Sequence, residues 1–272
     1  GLAALVLPGC LLLLIDIGSR NLYWGFEQDL SVPPGAWDLD SSCVRIGDLS
    51  EPCLYSVPGA TQTVLLVGDS HAVHLSQTMI ESANGQLWNA AVWGKGGCPI
   101  QFEQSLEKRL TDRCIEQNLD ILNWVKVNKP SVVIVSQFVL AEFSQNDLRK
   151  ALSLLKSFTP NVLLVENTPV FPDESRFMVR LPMLFPRYDP PKFFLQSKML
   201  VTDKFASDEL SEWARENQID TLDFSPLFCS DNLCRRYSDA GWLYSDEDHL
   251  SLVGAKLAAP QFYDYLKSIP GR

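Results

Sequence analysis

Histidine is scarce in this chain, positive charge is in deficit, and no internal repeat is present. The 272 residues include only three histidines. The closest cysteine pair, in "CSDNLC" at 229–234, has neither a second Cys pair nor a His-x-x-x-His partner, which argues against a zinc module, and no metal site is expected. Lys and Arg number 23 against 33 Asp and Glu, giving a net charge of −10. Such a chain repels polyphosphate and lacks the basic stripe that nucleic-acid binding requires, so no nucleic acid is expected as a partner. A content of 46% hydrophobic and 10% aromatic residues is enough to bury a full core. The length suits one globular domain of moderate size with attachments.

Long apolar runs are also missing, with one partial exception. Residues 2–15, "LAALVLPGCLLLLI", carry no charge but fall short of the roughly 20 residues that span a bilayer. With Gly1 in place of an initiating Met, residues 1–20 are read as the end of a transmembrane helix; a cleaved signal peptide or a buried helix are the alternatives. Six of the seven cysteines fall into sequence-local pairs, Cys43 with Cys53, Cys98 with Cys114 and Cys229 with Cys234, leaving Cys10 in the apolar run. Six cysteines allow fifteen pairings, so locality is a preference. Disulfides point to an oxidising compartment. A bridge closing a loop the size of that from Cys98 to Cys114 stabilises by roughly 3 kcal/mol on the chain-entropy view. The body of the protein is therefore expected outside the cytoplasm, tethered at its N-terminus.

Residues 21–60 are rich in Pro, Gly, Ser and Asp, hold no steady period, and read as a stapled linker or extension. Beyond them, apolar runs alternate with helix-period stretches: strands at 63–68, 86–92, 131–136, 161–166 and 219–224, and helices at 70–83, 103–128, 145–157, 197–217 and 249–267. Strands apolar on both faces and separated by helices predict a parallel sheet of about five strands covered on both sides, within a domain at 61–270. Residues 167–196 interrupt the rhythm with six prolines and several aromatics, and are read as a lid-like or substrate-facing insertion.

The stretch "VLLVGDSHAVHL" at 64–75 runs a buried strand into Gly-Asp-Ser and then a helix. In a parallel α/β sheet ligands meet the carboxyl ends of strands, and Ser70 falls there, beside the N–H groups of a helix N-terminus. Standing alone, Ser70 is equally an N-cap. A serine becomes a nucleophile when a base takes its proton and a carboxylate orients that base. "YSDEDHLSLVGA" at 244–255 supplies both from one loop, as Asp246 and His249 in Asp-x-x-His spacing. Asp69 caps or orients the turn. His71 and His74 follow Ser70 by one and four residues, and His74 falls one helical turn on, at a possible acceptor cleft. Trp93, Trp242 and Tyr244 flank the site and offer faces for sugar stacking, with core packing as the alternative.

"GDSH" after a strand, the loop "GKGGCP" and "DEDHLS" resemble the SGNH or GDSL hydrolases. More narrowly, "VLLVGDSHAVHL", "GCPI", the Cys98 and Cys114 pair, "CSDNLC" and "LYSDEDHLSLVGA" resemble the periplasmic SGNH domain fused to membrane acyltransferase-3 (AT3) proteins, over about residues 60–268. The resemblance implies a flavodoxin-like three-layer α/β/α fold, with Ser70 as nucleophile, His249 as base and Asp246 as orienting acid. Asp248 is left as a solvated loop acid. The oxyanion hole would use the Ser70 N–H, Gly97 (Gly96 as second choice) and, where the superfamily has an asparagine, Gln137. The resemblance further implies an O-acyltransferase, most simply an O-acetyltransferase, without a cofactor of its own. Its partners would be an N-terminal AT3 domain in a bacterial inner membrane, supplying acetyl ultimately from acetyl-CoA, and a periplasmic glycan acceptor such as lipopolysaccharide O-antigen. The alternatives are a non-catalytic glycan-binding domain and a carbohydrate O-acetyl esterase.

Overall fold

Val64, Leu65, Leu66 and Val67 are all fully buried, in a strand with side chains pointing alternately to opposite faces. Each such side chain contributes roughly 1.5–3 kcal/mol on leaving water. That strand lies inside a sheet covered on both sides. The computed structural model describes residues 51–102, 110–139, 145–172, 192–196 and 201–270, with 201–207 as backbone alone. The expected membrane stub at 1–20 and most of the extension at 21–60 lie outside them. Among the described residues no helix is long and apolar enough to cross a membrane.

In chain order the principal elements are β1 (Cys53–Tyr55), β2 (Thr63–Gly68), α1 (Ser70–Gly85), β3 (Asn89–Gly94), α2 (Asp112–Asn128), β4 (Val132–Ser136), α3 (Gln145–Lys156) and β5 (Asn161–Val165). They continue with β6 (Phe193–Leu195), α4 (Val201–Glu216), β7 (Asp220–Leu222), α5 (Ser225–Phe228), β8 (Cys229–Ser230), β9 (Leu233–Arg235), β10 (Tyr237–Ser238), β11 (Gly241–Trp242), α6 (Leu252–Lys256) and α7 (Ala259–Ser268). The main sheet runs β1-β3-β2-β4-β5-β7. Five of its strands are parallel, and β1 adds an antiparallel edge. The extension is therefore not wholly outside the core, since Cys53 is buried against β3.

Alternate strand residues feed two cores. Leu66, Val92, Ile134 and Leu163 pack with Leu75 and Met79 of α1 and Phe262 of α7. Leu65, Ala91, Val133 and Leu164 pack with Ile121 of α2, Leu152 of α3 and Leu210 of α4. The chain order of the parallel strands reverses at β2, so the crevice above β2 and β4 is where a ligand is expected in such a sheet.

Several boundaries differ from the sequence expectation, each for a local reason. The strand expected from residue 86 begins at Asn89, because Gln86, Leu87 and Trp88 close α1: Leu87 takes a left-handed φ of 58°, and the Trp88 N–H donates to the Ala83 carbonyl. The helix expected over 103–128 starts at Asp112, where the Thr111 hydroxyl caps it by accepting from the Cys114 N–H; residues 103–109 lie outside the described set. The helix expected over 249–267 is two helices. Ser251 caps α6, which puts His249 in the preceding loop, and Pro260 has no N–H with which to continue the first helix into α7. Of the lid-like insertion only the ends are described. Phe171 is buried in the core and β6 pairs with β9; residues 173–191 lie outside the described set.

Disulfides join Cys98 to Cys114 and Cys229 to Cys234. The second staples the β8–β9 hairpin, whose two-residue turn, Asp231 and Asn232, has positive φ at both positions, the geometry that matches strand twist. Cys53 is also disulfide-bonded; Cys43, its expected partner, lies outside the described residues.

Candidate active site

Ser70 opens α1 directly after β2. The turn between them depends on Gly68: at a φ of 149°, a Cβ there would fall 1.7 Å from the Ser136 carbonyl oxygen of β4. Asp69 fixes the turn from both sides. One carboxylate oxygen accepts from the His71 N–H at 2.8 Å and the other from the Phe138 N–H at 2.9 Å, tying the end of β4 to the start of α1. Burial works against the Asp69 charge, but these donors and the His71 ring outweigh it and hold the carboxyl below its ordinary value.

The other half of the site comes from the loop between β11 and α6. Asp246 Oδ1 accepts from the N–H groups of Asp248 and His249, at 3.1 and 2.8 Å, so the carboxylate folds back over its own turn. Its Oδ2 lies 2.8 Å from His249 Nδ1, and His249 Nε2 lies 2.8 Å from Ser70 Oγ. With the neutral imidazole protonated on Nδ1, the Ser70 hydroxyl donates to Nε2. Residues 179 apart in sequence thus form one hydrogen-bonded chain from acid through base to hydroxyl. Burial alone would push the His249 imidazole down, but the Asp246 and Asp248 carboxylates outweigh it and raise it to about 10. The same pairing holds Asp246 well below the carboxylate range in spite of its burial.

Asp248, read from sequence as a solvated loop acid, is half-buried, with one carboxylate oxygen turned inward. Its side chain is 17% exposed, and its Oδ1 lies 2.9 Å from the same Nδ1 atom. The turn capped by Asp246 brings it there.

Three expected oxyanion donors stand around the serine's end of the sheet. Gly97 is exposed, with a φ of 72°, at the second central position of the turn closed by the Cys98 N–H donating to the Lys95 carbonyl; this is a type II turn, which favours glycine there. Gly96 precedes it in the same turn. Gln137 follows β4 and is 1% exposed. Its Oε1 accepts from the Ile100 N–H at 2.7 Å, bridging the ends of β4 and the β3 loop, while its buried Nε2 has no hydrogen-bond partner.

The expected acceptor cleft needs correction. His74 is 1% exposed: it packs 6.0 Å from the His249 ring, and its Nδ1 accepts from the Leu250 N–H. Burial first, then repulsion from His71 and His249, pushes its pKa well below the ordinary value, so it stays neutral. Trp93 is a core residue, packed with Leu65 and Val133 because it points to the α2 side of β3. Neither presents a face to a sugar. Tyr244 is likewise fully buried, against Phe171 and Phe228. Trp242 is partly exposed and packs edge-on to Tyr237.

Two contributors carry no sequence signal. Arg236, 1% exposed, donates from Nη2 to the Asp246 carbonyl at 2.8 Å and lies over the Phe171 ring, and burial lowers its pKa to about 10. Phe138 stacks on His71 at 5.1 Å. Arg236, in the bend just after β9, stands beside the exposed Arg235, the last residue of that strand, and nothing in residue type separates the two.

The family described as the SGNH domain (fused to AT3 domains) matches residues 39–264. The periplasmic domain of a lipopolysaccharide acetyltransferase from Salmonella ser. Paratyphi A is similar in structure, with a TM-score of 0.63 at 14% identity over 78% of this chain and 86% of that one. A putative arylesterase from Agrobacterium tumefaciens has a TM-score of 0.46 at 12% identity, over 77% and 100%. The C-terminal catalytic domain of Streptococcus pneumoniae peptidoglycan O-acetyltransferase A, which carries a methylsulfonyl adduct, has a TM-score of 0.41 at 17% identity, over 77% and 94%. No curated protein sequence matches the chain.

Proposed function

The chain belongs to the family of SGNH domains that are fused to AT3 domains, and from that premise we propose that it is the acyl-transfer module of an O-acyltransferase, most simply an O-acetyltransferase. The observation that carries this reading is the unbroken chain from Asp246 through His249 to the Ser70 hydroxyl. A membrane AT3 domain would deliver the acyl group on the periplasmic side, and a hydroxyl of a glycan such as lipopolysaccharide O-antigen would receive it.

Two half-reactions use the same groups. In the first, Ser70 Oγ attacks the donor carbonyl as its proton passes to His249 Nε2. The bond to the donor's leaving group then breaks, that group takes the proton from Nε2, and acyl-Ser70 remains. In the second, the glycan hydroxyl gives its proton to Nε2 and attacks the acyl carbon. The ester to Ser70 breaks, and Ser70 recovers the proton. The Ser70 and Gly97 N–H groups and the Gln137 amide would face the negative oxygen formed in each half; a single donor of this kind is worth roughly a hundredfold or more in rate. No step needs a cofactor in this domain.

The test is intact-mass analysis of the purified chain and of Ser70→Ala after incubation with an activated acetyl ester. A gain of about 42 Da, one acetyl for one hydrogen, is expected in the wild type and absent from the variant. An equal gain in both would overturn Ser70 as nucleophile. No gain in either, with a competent donor, would favour the glycan-binding reading. The same site also serves an O-acetyl esterase, so release of acetate when the candidate glycan is present at saturation would favour that reading over transfer.

A further inference from the structure

His249 Nδ1 has one hydrogen and two carboxylates within reach. Asp246 Oδ2 lies at 2.8 Å and accepts the hydrogen bond, and Asp248 Oδ1 lies at 2.9 Å. Asp248 Oδ1 is buried and accepts no hydrogen bond, so its contact with the ring is ionic. A carboxylate oxygen withdrawn from water without a hydrogen-bond donor is costly unless a positive charge stands against it. Among the described residues the group that stands there is the His249 imidazole, which supplies that charge in its protonated form.

We propose that Asp248 is a positioning residue of the site, a second carboxylate that shares the Nδ1 edge of His249 with Asp246 and favours the imidazolium formed each time Ser70 gives up its proton. This rests on the acyl-transfer reading above, in which His249 is the base. Among the described residues the titratable groups that face His249 are Asp246 and Asp248 from its own loop and Ser70, His71 and His74 from α1, with ring centroids of the two histidines 5.0 and 6.0 Å away. His74 is buried and neutral, and Asp69 stands 3.3 Å from His71. Arg236 reaches the loop through the Asp246 carbonyl and offsets part of its negative charge. Two carboxylates thus act on one ring nitrogen.

The experiment compares the intact chain with Asp248→Asn and Asp248→Ala. The His249 midpoint is read by NMR titration of the imidazole nitrogens without substrate, and the pH profile of Ser70 acetylation by mass. Both variants should move the midpoint, and the limb of the profile that follows loss of the His249 proton, to lower pH by about one unit or more, a tenfold change in the charged-to-neutral ratio. Asp248→Asn should also slow acetylation at its pH plateau. A midpoint within about 0.3 unit of wild type in both variants, no more than about a twofold change in that ratio, would overturn the proposal. The midpoint decides the role of Asp248 even if no variant, nor the wild type, is acetylated; that second result would bear on the proposed function alone.

Discussion

The turn that carries Ser70 is held by close packing around one buried polar clamp, Asp69, whereas the loop that carries Asp246 and His249 is held chiefly by polar bonds. Around Ser70, β2 is buried on both faces, Gly68 lies against the Ser136 carbonyl, and His71, Ala72, Val73 and His74 are all buried. Around His249, the contacts are the Asp246 cap over two N–H groups, the Arg236 bond to the Asp246 carbonyl, the Phe171 N–H donating to the Glu247 carbonyl, and the Leu250 N–H donating to His74. A nucleophile must not move, and close packing provides that. A base must take up and release a proton twice per cycle, and a polar setting lets it do so without leaving a charge unmatched.

The comparison breaks most visibly at Gly68. Gly68→Ala puts a methyl group within bonding range of the Ser136 carbonyl at a φ that L residues rarely adopt, so β2 and β4 must part or the turn must rebuild. We expect a loss of more than about 3 kcal/mol in stability, seen as a lower urea midpoint, with activity lost alongside the fold. A variant of wild-type stability would show that the turn is not set by packing.

Arg236→Met should do the opposite. The volume is nearly kept, and the acids whose charge it offsets, Asp246 and Glu247, are only half-buried and stay hydrated, so the melting temperature should fall far less than for Gly68→Ala. Losing the donor to the Asp246 carbonyl frees the acid loop, and acetylation of Ser70 should slow by roughly tenfold to a hundredfold, the equivalent of one hydrogen bond from a charged group. Equal losses of stability and rate would mean that both halves of the site are held in the same way.

The same contrast explains what could be read from the chain. The strand, turn and helix around Ser70 follow one another in sequence, and each has a period or a glycine to mark it, so the position of the serine at the sheet's mouth was legible. The meeting of Ser70 with the Asp-x-x-His loop was legible through that spacing and the resemblance to the SGNH hydrolases, since no local period links residues so far apart in sequence. Polar placement was not. Arg235 and Arg236 are the same residue type, and the step from the last residue of β9 into the bend that follows decides which is buried. Asp248 looks like a surface acid until the Asp246 cap turns it inward. His74 and Trp93 have the residue types of a ligand cleft, yet the side of α1 and of β3 on which they fall puts them inside.

The smallest effect tests the loop's electrostatics apart from chemistry. His249 is held above its ordinary pKa, so it binds its proton more tightly folded than unfolded. The stability this adds is full below the unfolded value of about 6.5 and is lost as pH rises through the folded value of about 10. Asp246 is held below its ordinary value, so its share is present above about 4 and is lost as pH falls through its folded value. The pair therefore adds most between about pH 4 and 6.5. His249→Gln removes the imidazole and keeps a side chain able to hydrogen-bond. The wild type should melt a few degrees above it at pH 5–6, and the gap should narrow steadily towards pH 10, where the native ring also loses its charge. A gap that stays constant from pH 5 to 9 would mean that His249 is held by shape rather than by charge, and the polar half of the comparison would fall.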